Sequence, residues 1–104
     1  MISRHWKGVA RPDQAGRYVD HLRNETFPKL AAIGGFIRAS ILTRTVERGV
    51  EFLVITDWES MDAVREFAGE AAEVAVVPPL VRALMVDYDA HVRHYEFAGE
   101  YRNG

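Results

Sequence analysis

Four histidines punctuate the chain: His5, His21, His91 and His94. Imidazole titrates near neutral pH, so a histidine in a pocket is a candidate proton acceptor. His5 lies in ISRHWKG (residues 2–8), and His91 and His94 in DAHVRHYEFA (residues 89–98), both strand-like. In a strand, His91 and His94 point to opposite faces and form a poor metal pair. No HxH or HxxxH spacing and no carboxylate triad supports a metal, and none is expected. His5 converges with one of the two if the first and last strands are neighbours. His5 and His91 are therefore the candidate catalytic groups, against the plainer reading of partly exposed strand histidines. His21 precedes Glu25 at helical i,i+4 spacing, which reads as a surface pair.

Arg38 and Arg44 share a strand face with Phe36 and Leu42 under strict alternation. An arginine aimed at a helix-covered cavity is costly unless paired. Arg38 is thus either an anion partner in a pocket or an edge residue that snorkels. The aromatics Trp58, Phe67 and Tyr95 are candidate substrate-binding groups; core packing is the alternative for each. Nucleophilic catalysis has no support, since no GxSxG elbow is present. There is no cysteine, which removes disulfides and thiolate sites together.

Positioning these groups falls to a small number of elements. Residues 2–8 read as a strand with Ile2, Arg4 and Trp6 on one face and Ser3, His5 and Lys7 on the other. Ala15, Tyr18, Val19 and Leu22 make a helical stripe over residues 13–26, and Pro28 predicts a break or kink at Phe27. Gly34-Gly35 ends that element. FIRASILTRTV (36–46) and VEFLVITDW (50–58) are strands joined by the hairpin signal Glu47-Arg48-Gly49. Ser60 caps a helix carrying Met61, Val64, Phe67 and Ala68 on its apolar side. Pro79 opens a short helix through Met85, and residues 89–98 close as a final strand. The order is β-α-β-β-α-β, a ferredoxin-like α+β fold with an antiparallel sheet and helices on one face.

The 104 residues fit a single domain spanning 1–104. A net charge of −2 offers no basic field, so nucleic acid is not an expected partner. No apolar run approaches the roughly 20 residues that span a bilayer. The start MISRHWKGV lacks a signal core, and a cytoplasmic location is expected.

Strands 36–46 and 50–58 are apolar on both faces, whereas a half-solvated sheet alternates. Helices cover only one side. The second cover is either another copy of the sheet, as in a two-fold homodimer, or residues 70–85 folded across it.

IGGFIRASILTR, VEFLVITDWESMDAVREFAG and VRHYEF, in that order, resemble the antibiotic biosynthesis monooxygenase domain of the dimeric α/β-barrel superfamily. The resemblance covers nearly the whole chain. It implies a sheet that pairs with a partner's to form a barrel. Some members oxidise polycyclic phenols with oxygen and neither metal nor flavin; others degrade heme. The heme-degrading branch uses a strand-one asparagine, a second-helix tryptophan and a histidine beyond it. This chain has His5 (or Arg4), Phe67 and Val77 at those places, so the iron ligand is missing. The resemblance thus implies a cofactor-independent monooxygenase acting on a small aromatic or quinol-type compound, with no cofactor. The alternative is a non-catalytic, dimeric small-molecule-binding or stress-related domain of the same fold.

Overall fold

All 104 residues are described by a computed structural model. Strand β1 (Ile2–Ala10) pairs antiparallel with β3 (Gly49–Trp58) along its whole length, from Ile2 opposite Trp58 to Ala10 opposite Val50. Strand β2 (Phe36–Val46) forms the expected hairpin with β3. On the free edge of β1 the sheet is completed in two pieces. β4 (Met85–Tyr88) pairs with Gly8–Ala10, and β5 (Arg93–Glu96) with Ile2–His5. The architecture is α+β and ferredoxin-like, with an antiparallel five-stranded sheet and helices on one face.

The closing segment differs from the single strand read over 89–98. Asp89 N–H still bonds to Lys7 O of β1, but residues 90–92 take their backbone partners elsewhere: Ala75 N–H donates to Ala90 O, Val92 N–H to Glu73 O, and Val74 bridges His91. The preceding helix, α4 (Pro79–Leu84), ends one residue earlier than expected, and Met85 already belongs to the sheet.

The first helix also differs. It runs as α1 (Ala15–His21), a π-helical turn over Leu22–Thr26 and α2 (Phe27–Ala31), without a break. A proline ring clashes with the carbonyl four residues earlier in a regular helix. Here Phe27 N–H bonds back to Leu22 O, five residues away, and the widened turn accommodates Pro28.

The second helix, α3 (Met61–Ala68), begins at Ser60, whose hydroxyl accepts from Ala63 N–H at 3.3 Å. Gly69 ends it at φ 83°. The core lies between helices and sheet in two clusters. One centres on Phe52, Tyr18 and Leu22, the other on Trp58, Leu30 and Val64. Gly35 lets the chain turn into β2 at φ 94°, and a Cβ there would stand 2.8 Å from that of Ala63. Gly35→Ala should therefore cost at least about 1–2 kcal/mol from the backbone alone; an unchanged urea midpoint would contradict this.

A bulge changes the face assignment at the start of β2. Register passes from Phe36 opposite Trp58 to Arg38 opposite Asp57, leaving Ile37 unpaired. Phe36 therefore packs on Trp58 under the helices, while Arg38 joins Leu42 and Arg44 on the other face. Strict alternation had put all four together. No helix is long and apolar enough to cross a membrane.

Candidate functional site

The helix-covered side of the sheet holds a partly open cavity of about 410 Å³. Its floor is the inward row of two paired strands, Arg4 and Trp6 of β1 with Val54 and Thr56 of β3. The first helix supplies Tyr18, His21, Leu22, Glu25 and Phe27, α3 supplies Phe67, and residues 76–81 contribute Val76, Pro78, Leu80 and Val81. The volume and the mainly apolar lining suit a ligand of two or three fused rings.

Arg4 is the unusual member. It is 5 % exposed, yet no carboxylate lies within ion-pair distance. Nη1 donates to Ala72 O at 2.5 Å and reaches His94 Nε2 at 3.0 Å, while Nη2 donates to Val74 O at 3.3 Å. The guanidinium carbon lies 5.7 Å from the centre of the Phe67 ring. Burial lowers the Arg4 pKa to about 10, still fully charged at neutral pH. A buried cation with no counter-charge from the protein is expensive.

Because Arg4 can only donate, His94 presents Nε2 as acceptor. Burial, followed by the Arg4 charge, holds His94 below the ordinary 6.5. His5 is also held low by burial, partly offset by the Asp57 carboxylate. A depressed histidine contributes stability above the unfolded value of 6.5, which is lost as pH falls through the folded value. Urea titrations should show stability falling from roughly pH 7 to pH 5. His94→Gln should flatten that fall; an unaltered slope would acquit the Arg4–His94 contact.

The residues singled out from sequence are divided by the sheet. Phe67 lines the cavity. Trp58 lies behind it, 0 % exposed, stacked on Phe67 at 6.1 Å and donating Nε1–H to Thr56 Oγ1 at 2.9 Å. It supports two cavity residues without lining the cavity itself. His5, Arg38 and Tyr95 lie on the opposite face. His5 Nε2 is 2.9 Å from Ser3 Oγ and its ring 4.9 Å from that of Tyr95. Arg38 Nε donates to Asp57 Oδ2 at 2.7 Å, so its partner is a carboxylate of the sheet. His91 sits in the loop between β4 and β5, exposed and outside the cavity.

Conversely, Arg4, His21, Glu25 and Thr56 line the cavity and had not been assigned to it. The sequence did hold a signal for Arg4, since Ile2 and Trp6 make its face the more apolar side of β1. His21 and Glu25 depend on the π turn, which no periodicity rule supplies. His21 also borders a surface groove with Arg17, Asp20 and Asn24, placing it at the cavity rim. His21 is the only imidazole in the cavity lining, and it stands at the rim, away from the sheet floor.

No protein-family profile and no curated protein matches the sequence. Solved structures do match in shape. An antibiotic biosynthesis monooxygenase-type protein of Bacillus cereus aligns with a TM-score of 0.70 at 18 % identity, covering 100 % of this chain and 97 % of that one. SnoaB, a cofactor-independent oxygenase of Streptomyces nogalater, aligns as its N63A mutant at 0.68 and 15 % identity, covering 98 % and 97 %. The heme-degrader MhuD of Mycobacterium tuberculosis, with two hemes bound in its active site, aligns at 0.60 and 16 % identity, covering 98 % and 100 %. At these identities the likeness is one of fold, and over its whole length the chain carries the fold of the antibiotic biosynthesis monooxygenase-type proteins.

Proposed function

We propose that this protein is a cofactor-independent monooxygenase of small aromatic or quinol-type compounds, acting in the cavity between sheet and helices. The supporting observation is the pairing of a partly open, aromatic-lined cavity with one uncompensated cation at its floor. Oxygenation without a cofactor requires a substrate carbon acidified by neighbouring rings. A base removes its proton, and the carbanion, delocalised onto a ring oxygen, transfers electrons to oxygen. An anthrone CH2 becomes a carbonyl; one oxygen atom enters the product and the other leaves as water. Such an oxyanion is strongly stabilised by a fixed cation in a dry site. Arg4 is positioned for that role, and His21 is the imidazole nearest the entering substrate. Phe67 and Trp6 would hold the ring faces.

His5 and His91 remain candidates for proton transfer only if a second chain brings them to a site, and Arg38 and Tyr95 for substrate contact on the same condition. That second chain belongs to the proposal. The face opposite the helices carries Leu42, Leu53 and Ile55, and a homodimer would cover it. The shared fold of SnoaB, a cofactor-independent oxygenase, favours this reading over a purely binding role.

Oxygen uptake in metal-free buffer with a panel of anthrones and quinols tests the proposal. Uptake should be saturable and should fall about 10²–10⁴-fold in His21→Ala if that residue is the base. No turnover of any panel member would leave a small-molecule-binding domain.

A further inference from the structure

We infer that the cavity selects aromatic ligands bearing an anionic oxygen, a carboxylate or phenolate, which pairs with the Arg4 guanidinium. This rests on the cavity of the proposed function and specifies what enters it; it does not require turnover. Three observations converge. Arg4 is nineteen-twentieths buried and has no acidic partner, so the protein leaves its positive charge unbalanced at the cavity floor. Its protein contacts are neutral acceptors, the carbonyls of Ala72 and Val74 and the ring of His94. They take three of the five N–H donors and leave Nε–H and one Nη2 hydrogen without a protein partner, although Arg4 lines the cavity. A guanidinium fixed by neutral groups is a preorganised anion receptor, because the ligand supplies the missing charge.

The remaining lining sets the rest of the ligand. Trp6, Phe27, Phe67, Val54 and Val81 offer ring faces and aliphatic walls. Glu25 and Lys29 lie on the first helix, away from the sheet floor, and His21 at the rim. An acid enters with its rings against the apolar walls and its oxygen against the strand. Arg4 also ties residues 72–74 to β1, and a purely structural role would consist of those two carbonyl bonds alone.

The two roles separate by ligand charge. The probes are 2-naphthoate and the neutral, nearly isosteric 2-naphthamide, titrated by calorimetry at neutral pH against the full chain. Naphthoate should bind saturably, about tenfold to a hundredfold tighter than the amide, as expected for one charge-assisted contact. Arg4→Gln should bring the two probes to within a few-fold of each other; Arg4→Lys, which keeps the charge, should retain part of the preference. Circular dichroism identifies a variant that has lost its fold, in which case the Lys variant and the wild-type probe pair decide. Equal binding of acid and amide by the wild type overturns the inference and leaves the oxygenase reading intact. Binding of neither probe overturns the inference and removes support for the cavity as a ligand site. Preferential naphthoate binding without oxygen uptake on any quinol upholds the inference and rejects the oxygenase.

Discussion

Trp58→Ala should lower stability by about 3–5 kcal/mol, the range for truncating a fully buried large aromatic. Trp58 is 0 % exposed and lies where β3 meets the second helix. Phe36 meets it edge-on at 5.3 Å, and Phe67 stacks on it. Removal opens a cavity that the paired strands β1, β2 and β3 cannot collapse to fill. It also frees Thr56 and Phe67, both on the cavity wall. Trp58→Phe should cost less, since the ring remains and only the N–H donor and part of the volume go. Urea unfolding of the pair measures the effect. A loss below about 1 kcal/mol for the alanine variant would place the tryptophan in a yielding environment, contrary to the packing described.

The second large effect concerns assembly. Leu53 opposes Leu42 across the β2–β3 hairpin on the face away from the helices, and Leu42 is 49 % exposed. Placing aspartate at both positions buries two charges in any interface built on that face. Association should weaken at least roughly a thousandfold, about 4 kcal/mol, while the protomer keeps its fold because neither leucine belongs to the core clusters. Light scattering at micromolar concentration should find the unmodified chain dimeric and the double variant monomeric. A monomeric unmodified chain defeats the homodimer outright.

Much of the fold was legible because local chemistry and period agree. The hairpin signal at Glu47-Arg48-Gly49 and the Ser60 cap each mark an element boundary that the structure retains. The errors share a cause, because each involves a backbone bond whose partner is distant or irregular. The Ile37 bulge inverts the face of Arg38 against strict alternation. Residues 90–92 leave the sheet edge because they exchange backbone bonds with residues 73–75. The site was less legible still. Arg4 meets carbonyls 68 and 70 residues away and a histidine 90 away. Alternation alone separated Arg4 from His5 but could not say which row faced the helices; the flanking Ile2 and Trp6 could have.

The wide turn over Leu22–Thr26 makes the first helix a phase-sensitive part. An α-helix advances about 100° per residue, and the wide turn takes up one residue beyond that pitch, so the parts before and after it keep a phase that a regular helix of the same length would not give. Tyr18 and His21 lie before it, Phe27 and Leu30 after it, and all four line one cavity. Drawing the same residues into a regular pitch would swing the upstream pair by roughly 100° around the axis, away from the downstream pair. Deleting one residue among 22–26 together with the wide turn would leave the two pairs in phase. The i to i+5 turn itself, more than the length of the segment, is therefore what aligns the two halves of the helix.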